Sequence, residues 1–268
     1  MSSLNGDRRR IVGALWRGVA TLVLAGLGGC LGQVACTGGR HVAVLLYGDS
    51  LADEGQHWFE ASFPSSVKVE VHVLGGTAIC DFLPQLRGDV ARARPAAVVF
   101  EFAGNAVTRC TQPAPAVAAT RQQLDERYRA DAATATRLAT AIGGEAWWMG
   151  APVNRDPGAE IGNGDIRAIY QGLARQYPRT HYVDAGAAVE RDGQFTATLP
   201  CLPEEPCARV DGNENVVRAD DGGHLCPSHQ LFTDTCSVWS SGAYRFGRAM
   251  ALPVLASLQL PPARVAMP

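Results

Sequence analysis

The chain is poor in lysine, aromatic residues and charge. Lys68 is its single lysine, aromatic residues make up 7% of the 268 positions, and charged residues make up 19%. The formal net charge is −2, and no basic stretch alternates with aromatic side chains. A polyanion partner needs a basic face. The composition therefore disfavours nucleic-acid binding, and the length fits one large domain with a sizeable core.

A hydrophobic run long enough to span a bilayer is also missing. The apolar stretch from Gly18 to Gly29 is about 12 residues long, whereas a membrane helix needs about 20. It follows three consecutive arginines at positions 8–10 and ends in Leu27-Gly28-Gly29-Cys30. A basic segment, a short apolar core and small residues predict an export signal over residues 1–30. The last four residues resemble a bacterial lipobox, which predicts lipidation of Cys30, a tether over 31–40 and an extracytoplasmic location. A plain signal peptide and an uncleaved anchor are the alternatives.

No C-x-x-C pair occurs among the eight cysteines. The nearest metal-like motif, Cys226-Pro-Ser-His229, lacks a second pair of ligands at zinc-finger spacing, so no metal site is predicted. Setting aside Cys30 and Cys36, an even number remains, which favours disulfides in an oxidising compartment. Sequence alone leaves several connectivities open. The pairs we expect are Cys80–Cys110, Cys201–Cys207 and Cys226–Cys236, and Cys36 has no assigned role.

Short apolar runs alternate with helix-like segments along the chain, without an internal repeat. Continuous apolar runs are typical of strands buried on both faces. The predicted strands are His41–Gly48, Val67–Gly76, Ala96–Asn105, Glu145–Pro152 and Thr180–Gly186. The predicted helices include Val117–Ile142, Gly162–Gln176 and Gly242–Leu258. This alternation predicts an α/β domain over residues 41–258 with a parallel, doubly wound sheet. Residues 190–220 are expected to form a long loop, and residues 259–268 a frayed tail.

Small polar residues stand at the predicted strand ends, where ligands bind in such folds. Strand one ends in Gly48-Asp49-Ser50, and a later loop contains Asp221 and His224. A serine hydroxyl needs an adjacent base, and the base needs an orienting acid. The sequence therefore predicts a catalytic triad of Ser50, His224 and Asp221. Asp220 is the alternative acid, being one residue off in spacing.

An acyl-transfer site also needs donors for the oxyanion of its tetrahedral intermediate. Ser50 is expected to be the first residue of a helix. Its backbone N–H can then point at the oxyanion, and the helix dipole favours the negative charge there. The Gly76 N–H and the Asn105 side-chain amide follow the next two strands and are the other predicted donors, with Gly75 as the alternative to Gly76.

These segments, in this order, resemble the SGNH (GDSL-type) hydrolase family from Val42 to Leu258. Ser50 matches the family's serine, Gly76 its glycine and Asn105 its asparagine, while Asp221 and His224 match its D-x-x-H pair. The resemblance implies a flavodoxin-like three-layer α/β/α sandwich with a mostly parallel five-stranded sheet, and an exported, actinobacterial-like member. No G-x-S-x-G motif is present, so the α/β-hydrolase elbow fits less well. The third motif departs from the family's Gly-x-Asn-Asp, since it reads Ala103-Gly104-Asn105-Ala106.

The expected activity is hydrolysis of an ester through an acyl-serine intermediate, without a cofactor. The predicted substrate is a small-molecule, glycan or lipid ester, such as an O-acyl group of an envelope glycan, and the predicted state is a monomer. An O-acyltransferase using the same acyl-serine is the first alternative. A non-catalytic envelope-binding lipoprotein on a decayed hydrolase fold is the second, and the altered third motif is the reason to consider it.

Overall fold

The computed structural model describes residues 42–112, 119–207, 213–227, 236 and 239–264. The predicted export signal, the tether, Cys30, Cys36 and His229 lie outside the described residues. So do Pro113–Ala118, at the start of the predicted helix 117–142. Within the described residues, no helix combines the length and apolar character needed to cross a membrane.

Five parallel strands form the central sheet, in the order β2-β1-β3-β4-β5. This is the flavodoxin-like order, in which the chain reverses direction across the sheet between β1 and β3. The prediction of a doubly wound parallel sheet is confirmed. The strands are β1 (Val42–Gly48), β2 (Val67–Val73), β3 (Ala97–Glu101), β4 (Glu145–Met149) and β5 (Thr180–Val183).

Helices cover both faces of the sheet, because successive side chains of each central strand point to opposite sides. Val44 and Leu46 of β1 lie in the apolar core of one face, whereas Leu45 and Tyr47 lie in the core of the other. Helices α1 (Ser50–Ala61) and α5 (Ser241–Ser257) pack on the first face. Helices α2 (Ile79–Ala93), α3 (Arg121–Thr140) and α4 (Pro157–Gln176) pack on the second.

Two predicted helix starts were wrong by four or five residues. Helix α3 begins at Arg121, because Thr120 and Gln123 form a reciprocal capping box there. Helix α4 begins at Pro157, five residues before the predicted start. Asp156 caps it by accepting hydrogen bonds from Gly158 and Ala159, and Pro157 occupies the first turn, where its missing N–H is not needed.

The segment expected to be one long loop over 190–220 contains short regular elements. A 3₁₀ helix (Ala185–Val189) leads into two small antiparallel pairs. These are β6 (Glu190–Arg191) with β7 (Gln194–Phe195), and β8 (Thr198–Pro200) with β9 (Glu214–Val216). The expected frayed tail is also anchored in part, since the Ala263 N–H donates to the Ser62 carbonyl at 2.9 Å.

Among the cysteines that the structure describes, three disulfides are present, and they join the pairs named in the sequence analysis. They are Cys80–Cys110, Cys201–Cys207 and Cys226–Cys236, with sequence separations of 30, 6 and 10 residues. Disulfides persist in oxidising compartments, so they indicate an extracytoplasmic location.

Candidate active site

Ser50 is the first residue of α1, immediately after the turn that leaves β1. Asp49 caps the helix, its Oδ1 accepting the Leu51 N–H at 3.2 Å. Gly48 permits the tight turn: a Cβ there would lie 2.2 Å from the Ala52 Cβ and 2.7 Å from the Glu101 carbonyl oxygen. The serine side chain therefore stands at a helix N-terminus, where the backbone N–H groups favour negative charge.

His224 bridges Ser50 and Asp221. Its Nε2 lies 3.0 Å from the Ser50 Oγ, and its Nδ1 lies 2.6 Å from the Asp221 Oδ2. A carboxylate accepts only, so the ring proton sits on Nδ1 and leaves Nε2 free to accept the serine hydroxyl. The residues predicted as nucleophile, base and acid thus form one hydrogen-bonded chain.

Asp221 is held ionised by its own loop. Its Oδ1 accepts hydrogen bonds from the Gly223 and His224 N–H groups at 2.7 and 2.9 Å. Partial burial favours the neutral acid, but the hydrogen bonds from His224 and Gly223 outweigh it and lower the pKa of Asp221 to about 2. Asp220, the alternative acid, contacts Arg155 through its backbone carbonyl.

Arg218 supports the backbone of the loop that contains Asp221 and His224. Its guanidinium donates to the carbonyls of Val153, Gly222 and Gly223 at 2.8 to 3.0 Å, and it is almost fully buried. Burial lowers the pKa of Arg218 to about 10, so it remains charged near neutral pH. The sequence analysis did not single out Arg218. An arginine three residues before the D-x-x-H pair was the available signal.

The predicted oxyanion donors differ in how the structure uses them. Gly76 adopts a φ of 72° in an exposed turn, a conformation that favours glycine. The Asn105 Nδ2 donates both of its N–H groups, one to the Asp49 Oδ2 and one to the Thr77 carbonyl, each at 2.9 Å. Asn105 therefore links three loops at the strand ends. To donate to an oxyanion it must exchange its contact with Thr77, and its donor role stays a prediction.

The altered third motif contacts Asp49 through its backbone. The Ala103 N–H donates to the Asp49 Oδ2 at 2.8 Å, a contact that any residue with an N–H can make. Gly104, at the position the family leaves variable, has a φ of 108°, a conformation that favours glycine. Ala106, in place of the family's aspartate, is exposed.

A cleft of about 300 Å³ opens beside Ser50 and His224. Small apolar groups and polar side chains share its wall. Beyond the Ser50–His224 pair, the polar residues that line it are Asp49, Asn105, Arg121, Asn154 and Asn163. The sequence analysis did not identify the last three, because they lie on or before α3 and α4, away from the four motifs. Gly76 is not among the described residues that line this cleft.

Solved structures with a similar fold include two acetyl-ester enzymes. The chain matches the C-terminal catalytic domain of Streptococcus pneumoniae peptidoglycan O-acetyltransferase A (OatA) with a TM-score of 0.51 and 12% identity, covering 84% of this chain and 98% of that one. It matches a catalytic mutant of Axe2, an acetylxylan esterase from Geobacillus stearothermophilus, with a TM-score of 0.50 and 14% identity, covering 84% and 97%. At these identities the likeness shows the fold alone.

By sequence, the chain matches no curated protein. A family model described as "protein of unknown function (DUF459)" matches residues 43–232, from β1 past His224. With the sheet order and the fold matches above, this chain belongs to the DUF459 family and has the SGNH hydrolase fold.

Proposed function

We propose that the protein is a serine ester hydrolase that acts through an acyl intermediate on Ser50. The observation that carries this proposal is the hydrogen-bonded chain from Ser50 through His224 to Asp221, with distances of 3.0 and 2.6 Å. A serine at a helix N-terminus, a neutral imidazole and an ionised carboxylate are the parts that acyl transfer requires.

The geometry supports two matched half-reactions. The Ser50 Oγ attacks the ester carbonyl carbon while the His224 Nε2 takes its proton, and Asp221 stabilises the imidazolium that forms. The oxyanion lies near the Ser50 N–H. Asn105 becomes a further donor when it exchanges its contact with Thr77, and Gly76 becomes one only if its turn moves towards the cleft. Collapse of the intermediate expels the alcohol, which receives the proton from His224. Water then repeats the sequence on acyl-Ser50 and releases the carboxylic acid.

The substrate we favour carries a short acyl group on an envelope glycan or lipid. A cleft of about 300 Å³ with several polar side chains suits a small acyl group next to a polar alcohol. The fold neighbours bear names that refer to acetylated polysaccharides. With three disulfides in the domain, we propose an extracytoplasmic monomer with residues 41–258 as its catalytic part, anchored through a lipid on Cys30 and the tether 31–40.

The direct test is hydrolysis of p-nitrophenyl acetate by the wild type and Ser50→Ala. We expect the variant to lose about 10³-fold or more in kcat, because removing the nucleophile disables the whole chain. Ser257→Ala is the matched control, since that serine bonds Glu145 at the far end of α5 and should leave the rate unchanged. Equal rates for wild type and Ser50→Ala would exclude the mechanism.

An O-acyltransferase is the second candidate, favoured by the fold match to the catalytic domain of an O-acetyltransferase. It would form the same acyl-Ser50 and deliver it to a sugar hydroxyl instead of water. Adding a glycan acceptor to the hydrolysis assay separates the two. A transferase forms acylated acceptor at the expense of free acid, whereas a hydrolase leaves the acid yield unchanged.

A non-catalytic binding lipoprotein remains the contrasting hypothesis. A fluorophosphonate probe labels serines that an adjacent base activates. We expect labelling of the wild type at Ser50, weak labelling of His224→Ala and none of Ser50→Ala. Absence of labelling in the folded wild type would favour the binding protein.

A further inference from the structure

Two carboxyl side chains lie together in the interior directly behind Ser50. Asp49 and Glu101 both have no solvent-exposed surface. Glu101 ends β3 beside Gly48 of β1, and its carbonyl accepts the Asp49 N–H at 3.1 Å. The proposed mechanism uses neither carboxyl group, so their presence in the core needs a separate explanation.

The two carboxyls have very different surroundings. Asp49 accepts three N–H groups, from Leu51 at 3.2 Å, Ala103 at 2.8 Å and the Asn105 amide at 2.9 Å. Among the described residues, neither carboxyl oxygen of Glu101 receives a hydrogen bond of ordinary geometry from an N–H or a hydroxyl.

The groups facing the pair offer it little positive charge. Glu101 faces the Asp49 carboxyl, the Ala52 N–H and the Glu54 carboxylate on α1. Tyr128 of α3 and Tyr170 of α4 face it from the other side of the sheet, and the His224 ring faces Asp49. None of these groups is an arginine or a lysine.

Two interacting carboxyl groups that are fully buried, with no arginine or lysine among the described groups that face them, cannot both be ionised. The three N–H donors favour charge on Asp49, and a neutral Glu101 can supply a further donor. We propose that Glu101 is protonated at neutral pH, donates its O–H to the Asp49 carboxylate, and is a positioning residue for the oxyanion side of the site. The positioning role rests on the proposed function, because it acts through the contacts of Asp49 with Ala103 and Asn105.

The electrostatics point the same way. Burial raises the pKa of Glu101 well above its usual range, and the neighbouring Asp49 charge raises it further. Burial also raises the pKa of Asp49, which the N–H groups of Ala103 and Leu51 oppose. The pair therefore holds one proton, taken from solvent as the chain folds.

The first experiment measures that proton by infrared difference spectroscopy at neutral pH. The wild type should show the C=O stretching band of a neutral carboxylic acid, and Glu101→Gln should lack it. Glu205→Gln is the matched control. Glu205 is also buried, but Arg245 pairs with it and the pKa of its carboxyl is lowered, so its loss should leave the band in place. A wild type without the band, or Glu101→Gln that keeps it, would overturn the proposal.

The second experiment uses the pH dependence of stability. Glutamate has a pKa of about 4.3 in an unfolded chain, so a raised folded value means that the native state binds the extra proton. The stabilisation is then fully present below about pH 4.3 and is lost as pH rises towards the folded pKa. Between pH 5 and 8, the unfolding equilibrium constant of the wild type should rise with pH more steeply than that of Glu101→Gln. For each pH unit, the increase should be larger in the wild type by a factor of up to about ten. Parallel slopes would contradict the shared proton.

The positioning role has its own test. In Glu101→Gln an amide N–H replaces the acid O–H, so kcat should stay within about threefold of the wild type. Glu101→Met removes the donor and should lower kcat about 10-fold or more at unchanged KM, as loss of oxyanion stabilisation does. Equal kcat in the wild type and Glu101→Met would refute positioning.

The experiments also separate this proposal from the proposed function. If Glu101→Met does not fold, the rescue of kcat by Gln is compared instead with Glu101→Ala. If the wild type has no esterase activity, the infrared band and the stability slope still decide the protonation of Glu101.

Discussion

Asp221 is kept ionised by hydrogen bonds from its own sequence neighbours. Its carboxylate accepts hydrogen bonds from the N–H groups of Gly223 and His224 and from the His224 ring. Those contacts fix the loop as well as the acid, so the imidazole is aimed at Ser50 before any substrate binds. Arg218, bonded to carbonyls of the same loop, completes this local support.

Asp221→Asn should therefore lower kcat far more than the small change in the side chain suggests. An amide in this position can donate to Nδ1 and stabilise the wrong tautomer of His224, which costs about 10⁴-fold in kcat in comparable triads. Asp220→Asn, one residue away, should keep near wild-type kcat. Steady-state kinetics of both variants check this. Similar losses in the two variants would show that Asp221 is not the acid.

At the scale of elements, α1 is positioned by an unusually close approach to α5. A Cβ on Gly247 of α5 would lie 2.3 Å from the Gly55 carbonyl oxygen and 2.9 Å from the Trp58 Cβ, both on α1. Because α1 starts at Ser50, this contact between the two helices helps to set the position of Ser50 relative to the His224 ring.

Gly247→Ala should separate the two helices. Backbone cannot move aside as a flexible side chain can, so we expect a loss of about 1–3 kcal/mol in unfolding free energy, together with a lower kcat. Gly88→Ala on α2 is the matched control, since nothing lies within 4 Å of its Cβ position. That change should stabilise by about 0.5–1 kcal/mol. Chemical denaturation of both variants decides, and a neutral Gly247→Ala would contradict the packing argument.

The elements were predictable where burial dominates their sequence. Continuous apolar runs such as Val98-Val99-Phe100 identify the strands, because parallel strands covered on both faces contain few polar residues. The start of α4 was missed because its first turns contain Gly158, Gly162 and Gly164, which weaken a helical pattern. The cap at Asp156 and Pro157 carried the better signal. The small pairs β6–β7 and β8–β9 are too short for their periodicity to be recognised.

At the scale of the whole molecule, one disulfide ties together two loops of the site. Cys80 lies in the first turn of α2, after the Gly76 turn, and Cys110 lies five residues beyond Asn105. It closes a longer stretch of chain than the Cys201–Cys207 bridge, with a separation of 30 residues against 6.

Replacing both cysteines of the longer bridge with serine should cost about 3–4 kcal/mol of stability by the chain-entropy estimate, against about 2 kcal/mol for the shorter one. Only the longer bridge should also affect kcat, because it restrains the Gly76 and Asn105 loops. Urea denaturation and ester hydrolysis of the two double variants measure this. A larger effect at Cys201–Cys207 would contradict it.

The pH dependence of the whole enzyme should follow its histidine. The pKa of Asp221, lowered to about 2, keeps that carboxylate charged throughout the measurable range. The protonated imidazole cannot accept the serine proton, so kcat/KM should rise with pH as the proposed base loses its proton. The melting temperature over the same range serves as control. A flat profile in a folded enzyme would exclude His224 as the base.

The candidate catalytic residues were easier to predict from the sequence than the residues that surround and position them. Ser50, Asp221 and His224 stand in short motifs whose residue types the chemistry demands. Glu101 ends an apolar strand, and nothing in the sequence around it indicates a role. Asn154 and Asn163 lie outside every motif. Their proximity to Ser50 arises from the packing of β3 and α4, which no local pattern encodes.

The hydrogen bond from the Ser50 hydroxyl to the His224 ring joins residues 174 positions apart. Synthesis proceeds from the N-terminus, so Ser50 emerges early and His224 emerges only after all five strands of the central sheet. A growing chain thus carries an inert serine until the last quarter of the sequence is in place. Recovery of the proposed esterase activity during refolding would then report that the start of α1 and the loop before α5 have come together.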